Sequence, residues 1–169
     1  MSDNAQLQEV LDRLRNRFFG KYRGTVIDVD ASTMSLRAQV PAALGTVPSG
    51  WCQPCVPYAG PSVGVVMLPD IGSGVWIEFE AGDVGRPIWV GCYWREGEIP
   101  SSTSATVKSV VTTAGSLAFD TGAGSVTLSG TQGQTAVLDG QGATLSAGSG
   151  KVVVGSSGVD VNSGALTVS

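Results

Sequence analysis

The segment 125–169, SVTLSGTQGQTAVLDGQGATLSAGSGKVVVGSSGVDVNSGALTVS, constrains the fold more than any other part of the chain. It contains no aromatic residue and almost no charged ones. Apolar residues recur two positions apart, as in Val152/Val154 and Val159/Val161, and glycine clusters separate such pairs. This alternation predicts a repeat of short β-strands joined by tight turns.

A flexible linker has no reason to hold valine and leucine in register, and a disordered tail would carry more charge. A single ladder of such short strands would leave one apolar face uncovered and its edges unpaired. Three ladders wrapped around a common axis would cover both, so the sequence predicts a rigid homotrimeric spike of about seven strands.

The strand parity assigns the two faces of the predicted spike. Six apolar residues are expected to form the spike core on the trimer axis, namely Val152, Val154, Val159, Val161, Leu166 and Val168. Lys151, Asp160 and Thr167 have the opposite parity and are expected to face outward.

The N-terminal residues predict a helix over residues 4–19. Leu7, Val10, Leu11, Leu14 and Phe18 recur at helical spacing and form one apolar stripe. An upstream Asp–Gln pair suits the helix start, and a following glycine suits its end. Two interpretations stay open, a surface helix packed on its own domain and an arm that docks on a neighbouring subunit.

Between these regions the apolar period changes to two. YRGTVIDVD and MSLRAQV flank the turn signal ASTM and predict a β-hairpin. The segment GWCQPCVPYAGPSVG is crowded with proline and glycine, which predicts an irregular edge or a loop. About five strands joined by tight turns indicate a small β-barrel.

The last two predicted strands of this barrel flank the turn cluster AGDVGRP. Val75, Ile77 and Phe79 are expected to share one face of the first of these strands, opposite Trp76, Glu78 and Glu80. In the second, the parity predicts that four residues line one side: Ile88, Val90, Cys92 and Trp94.

The charge of the chain disfavours a nucleic-acid partner. The formal net charge is -4, whereas nucleic-acid binding needs a basic face. No apolar run approaches the length of a membrane span, and the N-terminus lacks the apolar core of a signal peptide. We therefore expect the protein to start in the cytoplasm and to have no nucleic-acid partner.

Few residues of the chain could act in catalysis or bind a metal ion. The chain has no histidine, which removes the common triads and His-containing metal sites. Cys52, Cys55 and Cys92 give one thiolate too few for a zinc tetrahedron, so inert thiols are favoured over metal binding or redox chemistry. The acid pairs Asp28/Asp30 and Glu78/Glu80 have the residue types used in glycoside hydrolysis, but same-face acids on a strand are typical of the solvated side of a sheet, which is favoured. The sequence thus predicts no catalytic, cofactor-binding or metal residues, no cofactor, and no enzyme activity.

Aromatic residues cluster in the predicted barrel, and they are consistent with two functions. They are Tyr22, Trp51, Tyr58, Trp76, Trp89, Tyr93 and Trp94. Packing in the barrel core or at a subunit contact is favoured. The alternative is a stacking platform, which would make the protein an oligomeric binding module for glycan or single-stranded nucleic acid.

The motif LPDIGSGVWIEFEAGDVGRPIWVGCYW (Leu68–Trp94), preceded by KYRGTVIDVD and followed by a repetitive β tail, resembles the phage baseplate assembly protein V family. These are the central spike proteins of contractile tails. The resemblance covers residues 21–95 by motif and 105–169 by architecture. It implies an oligonucleotide/oligosaccharide-binding (OB) barrel, a homotrimer, and a triple-stranded β spike.

The resemblance also implies partners and a location. It implies a baseplate hub protein above the barrel, other baseplate and tube proteins nearby, and transient contact with the target outer membrane. Some relatives carry a lysozyme domain after the barrel, but REGEIPSSTSA leaves no room for one. Some hold a metal at the spike end through histidines, which this chain lacks, so the tip is either bare or capped by a PAAR-type tip protein.

The prediction is therefore an all-β chain in four parts. These are an N-terminal helical arm (1–20), an OB-type barrel (21–95), a linker (96–105) and an intertwined β-helix or β-prism spike formed by a trimer (106–169). The expected function is that of a structural spike in the baseplate of a virion or injection particle. It would plug the tube and pierce the target envelope mechanically.

Overall fold

The computed structural model describes residues 6–8, 10–11, 17–101 and 104–168. The chain divides into two compact units, Met1–Glu98 and Ile99–Ser169. Apart from short helical segments, the regular structure of both units consists of β-strands, so the all-β prediction is confirmed.

The N-terminal helix is shorter than predicted. Residues 6–8 and 10–11 are helical, but residues 17–19 are not. The rest of the predicted helix, including Leu14, lies outside the described residues. Tertiary contacts explain why the helix has ended by Phe18, because its backbone N–H donates to the Gly82 carbonyl at 2.9 Å and its ring packs on Tyr22 and Phe79.

Beyond the N-terminal helix, the described residues of the first unit form short strands and one short α-helix. The strands are β1 (Tyr22–Asp30), β2 (Ser35–Gln39), β3 (Gln53–Pro54), β4 (Ala59–Gly60), β5 (Val63–Gly64), β6 (Gly74–Phe79) and β7 (Pro87–Tyr93). Helix α1 (Pro41–Leu44) follows β2, and a 3-10 turn (Glu80–Gly82) follows β6. The main sheet has the order β2-β1-β6-β7-β3, and β4 pairs with β5. The predicted β1–β2 hairpin is confirmed.

Two β-bulges accompany the curl of this sheet. The β1–β2 register jumps at Ile27, and the β6–β7 register jumps at Val90. A bulge adds one unpaired residue, bends its strand and increases the local twist. The resulting OB-like curled sheet wraps around one core.

The second bulge overturns the predicted face of β7, which was Ile88, Val90, Cys92 and Trp94. Ile88 pairs with the exposed-side residue Glu78, whereas Cys92, although exposed itself, pairs with the buried Val75, so the two residues do not share a face. At the centre of β7, the side chain that is buried in the core is instead Trp89. A period of two cannot continue through an inserted residue, so the sequence pattern failed here.

The predicted face of β6 is confirmed, because Val75, Ile77 and Phe79 are buried. They belong to a core of nine buried apolar residues, completed by Val26, Leu36, Ala38, Val40, Cys52 and Trp89. Ser49 is also buried, and its hydroxyl accepts from the Ala38 N–H and donates to the Gly50 carbonyl. The first unit thus has a complete core of its own.

The proline-rich segment 48–55 closes the barrel, a role that the sequence did not predict. Cys52 exchanges backbone hydrogen bonds with Leu36 on β2, at 2.7 and 3.4 Å. Immediately afterwards, β3 pairs in parallel with β7, and the Cys55 N–H donates to the Trp89 carbonyl at 2.9 Å. The segment therefore joins the two ends of the sheet.

Consecutive antiparallel strands form the second unit. They are β8 (Val107–Thr112), β9 (Gly115–Asp120), β10 (Ser125–Gly130), β11 (Thr135–Asp139), β12 (Gly142–Ala147), β13 (Gly150–Gly155), β14 (Gly158–Val161) and β15 (Leu166–Val168). Each strand pairs with the next along the chain, so the sheet is a simple meander. We call this sheet the meander.

The turns of the meander use its carboxylates and its glycines. Asp120, Asp139 and Asp160 each accept a turn N–H, at 2.8 to 3.1 Å. Gly115 and Gly142 have positive φ values and lie so close to the carbonyls of a neighbouring strand that a Cβ atom would clash. The glycine clusters are therefore requirements of tight turns.

Candidate functional site

The strand register of the meander collects its apolar residues on one face. Directly opposed residues share a face, and the pairings place twenty-one positions on one side of the sheet. Five of them lie at strand ends next to turns, namely Thr112, Gly115, Gly130, Ala147 and Gly150, and fifteen of the other sixteen are apolar. We call these sixteen positions the apolar face: Lys108, Val110, Leu117, Phe119, Val126, Leu128, Ala136, Leu138, Ala143, Leu145, Val152, Val154, Val159, Val161, Leu166 and Val168.

The opposite side of the sheet, which we call the polar face, is mostly hydroxyl-bearing or charged. Across its centre, Thr127 pairs with Val137, which pairs with Thr144. A parallel row contains Ser116, Ser129, Thr135 and Ser146. A sheet with one polar and one apolar face requires a partner for the apolar face alone.

The apolar face has no cover within a single chain. Among the second-unit residues whose side chains are described, none is buried. The exposed fractions are 57% for Leu128 and 60% for both Leu145 and Leu166, against 0% for Leu36 in the first unit. A contiguous apolar surface of this kind indicates an interaction site.

All six predicted core residues take positions on the apolar face. Val152 pairs with Val161, and Val154 with Val159, in the β13–β14 ladder. The β14–β15 ladder adds Leu166, and it adds Val168 by backbone position. Lys151, Asp160 and Thr167 occupy positions on the polar face. That the apolar face lies on a threefold axis stays a prediction.

The cysteines of the CxxC segment lie in different surroundings. Cys52 is fully buried, and this burial raises the pKa of its thiol, while a hydrogen bond between its Sγ and the Ser49 hydroxyl opposes the rise. Cys55 and Cys92 are exposed, and all three are free thiols. A raised pKa keeps the Cys52 thiol protonated, so the geometry assigns this residue to packing and closure of the barrel.

The acid pairs singled out in the sequence are bound in local contacts. Glu78 forms an ion pair with Lys21 at 2.5 Å, and Glu80 with Arg86 at 2.7 Å. The Asp30 carboxylate accepts from the backbone and hydroxyl groups of the following turn, which lowers its pKa. These carboxylates therefore contribute to the surface and turns of the barrel.

The aromatic residues are divided among several environments. Trp89 is in the core, and its indole N–H donates to the Met34 carbonyl at 3.1 Å. Trp76 and Tyr93 pack together with a centroid distance of 5.1 Å, and the Arg23 guanidinium lies over both rings. Packing in the core is thus shown for Trp89, while the others named here form a surface cluster.

The first unit can be compared with known families. Residues 22–94 match the family model for the Type VI secretion system/phage-baseplate injector OB domain. Residues 22–94 are therefore similar to this domain, and we call them the injector OB domain. The match confirms the resemblance to the baseplate protein V family, and it supports a structural role in the baseplate of a virion or an injection particle. No curated protein matches the chain.

The injector OB domain match does not extend to the meander. Its apolar face is therefore characterised by geometry alone, through strand register and exposure. Within the described residues, no helix has the length and apolar character needed to cross a bilayer.

Proposed function

We propose that the protein is the central spike of a contractile injection machine, and that three copies assemble through the apolar face of the meander. The exposed apolar face is the observation that carries this proposal. Fifteen of its sixteen positions are apolar, although the same sheet has a polar opposite face. The injector OB domain in the same chain supports a baseplate setting.

Three meanders suit this surface better than two. Two sheets packed face to face would leave the two turn-bearing sides of the sandwich open to water. Three sheets around an axis form a prism in which each apolar face contacts both others. A closed arrangement of this kind covers all three apolar faces and leaves unpaired edges only at the two ends of the shaft, in β8 and β15.

The proposed mechanism is mechanical. Eight strands stacked about 4.8 Å apart give a shaft roughly 34 Å long. Interstrand hydrogen bonds run along the stack, so an axial force loads the backbone ladders and the packed core. The short turns offer few flexible loops that would deform. Such a shaft plugs the tube at rest and pierces the target envelope, with transient contact to an outer membrane, when the tail contracts.

In this proposal the injector OB domain connects the shaft to the rest of the baseplate. Its partners are the hub protein above it and other baseplate and tube proteins. The far end of the shaft is bare or carries a PAAR-type tip protein. The protein acts without cofactors and without catalysis, and the particle assembles in the bacterial cytoplasm.

Two neighbouring residues in β12 test the proposal. Leu145 belongs to the apolar face and is exposed in one chain, whereas Thr144 belongs to the polar face. Leu145→Asp buries three carboxylates in a trimer core, which is heavily penalised, but it costs little in a monomer. We expect Leu145→Asp to abolish the trimer in sedimentation analysis, and Thr144→Asp to leave it intact. A Leu145→Asp protein with unchanged mass and melting temperature would refute the proposed interface.

A further inference from the structure

Lys108 is the one charged residue on the apolar face of the meander. It lies in β8 directly opposite Phe119 and two residues before Val110. Its position on this face follows from the register, because Val110 pairs with Leu117 two residues further along the same ladder. The presence of one ammonium group on an otherwise apolar surface needs a physical explanation.

No carboxylate of the second unit is placed to neutralise Lys108. The acids of this unit, Asp120, Asp139 and Asp160, all lie on the polar face. Each also accepts hydrogen bonds from its own turn. In the described part of the chain, Lys108 has no ion pair, and its Nζ donates to the uncharged Ala105 carbonyl.

Trimer assembly changes the situation of this lysine. An ammonium group has three donors, of which one is used on Ala105, so two remain free. If the apolar faces meet on an axis, three Lys108 side chains converge at one level of the shaft. Like charges repel strongly in a low-dielectric site, and their desolvation is costly.

We propose that the three Lys108 ammonium groups of a trimer bind one small inorganic anion on the threefold axis, at the β8 end of the shaft. This inference rests on the proposed trimer. The anion supplies the negative charge that the second unit lacks on this face, and it accepts the free N–H donors. Because β8 is the edge strand of the meander, the site lies at one end of the stack of strands, and an anion can reach it without crossing the apolar core.

The test compares chloride with gluconate at constant ionic strength, using the full-length trimer. For one anion per trimer, each tenfold rise in chloride above its Kd lowers the equilibrium constant for trimer unfolding about tenfold. Lys108→Met removes the charge and should remove this dependence. It should also raise the melting temperature in gluconate, because the repulsion is gone.

Lys151→Met is the matched control, since Lys151 occupies the polar face. It should retain the chloride dependence of the wild type. A crystal of the trimer soaked in bromide should show an anomalous peak on the axis beside Lys108, absent in Lys108→Gln. Sedimentation analysis separates the two proposals, because a monomer at all concentrations refutes the spike itself. An intact trimer with equal stability in chloride and gluconate, or without the bromide peak, overturns only the anion site.

Discussion

The two units are both antiparallel β structures, but they differ in where their apolar residues are buried. In the first unit, Leu36 and Ile77 are completely buried by the chain's own strands. In the second, Leu145 and Leu166 remain mostly exposed although every internal strand has two paired neighbours. Backbone pairing therefore completes a sheet, but a core also requires a second layer of side chains. The first unit provides this layer by curling its sheet on itself, and the second unit does not provide one.

Side-chain size explains part of this difference. All four tryptophans belong to the first unit, and Phe119 is the one aromatic residue of segment 101–169. Large aromatic side chains fill the interior of a small barrel. The tight turns and the valine-rich strands of the meander instead suit a narrow shaft to which three chains contribute equally.

The largest effect is expected on removing the meander. Truncation after Pro100 deletes the apolar face but leaves the core of the first unit untouched. The truncated protein should be monomeric and folded. Mass analysis should be combined with thiol alkylation, in which Cys52 stays protected and Cys55 reacts. A truncated protein that is still trimeric would place the main subunit contact in the first unit, and rapid alkylation of Cys52 would show that this unit does not fold alone.

A smaller effect is expected from a cavity in the barrel core. Ile77→Ala should lower the free energy of unfolding of the first unit by about 2–5 kcal/mol, because Ile77 is completely buried. Tryptophan fluorescence during urea unfolding measures this unit selectively. The exposed bulge residue serves as control, and Ile27→Ala should cost far less. The oligomeric state should not change in either variant, and loss of the trimer in Ile77→Ala would show that the stability of the barrel core and that of the trimer core are coupled.

The smallest effect is a pH dependence in the first unit. Hydrogen bonds from Ser32 and Thr33 lower the pKa of Asp30 in the folded state. Its contribution to stability is thus present above the unfolded pKa of about 3.9 and lost as the pH falls through the folded value. Asp30→Asn should be slightly less stable than the wild type at neutral pH, and this difference should vanish in acid. A difference in urea midpoints that stays constant down to pH 2 would contradict the assignment.

The alternation of apolar residues was sufficient to predict most of the meander. It located the strands from Leu117 onward and gave the common face of Val152, Val154, Val159 and Val161. It missed β8, because Val107, Val110 and Val111 occupy both parities and therefore give no clean period of two. Parity identifies a strand only when its two faces have different surroundings, and an edge strand has the weakest contrast.

The barrel was less predictable, for two physical reasons. The bulge at Val90 reverses the parity within β7, and a local pattern contains no sign of an unpaired residue. The closure by Cys52 and Gln53 depends on a long-range match to β2 and β7, in a segment whose prolines indicate a loop. The apolar face, by contrast, was predictable because it follows from the sequence repeat alone. The surface that covers this face does not follow from the repeat, because it belongs to another chain in the proposed assembly.

The oligomeric mass of the intact chain tests the central claim most directly. Sedimentation equilibrium over a wide concentration range should give three times the 17.2 kDa of one chain. The trimer should persist at low concentration, since none of the described side chains on the apolar face is buried in a single chain. A folded monomer with the meander intact would contradict the account, because it would show that an exposed apolar sheet face is stable without partner chains.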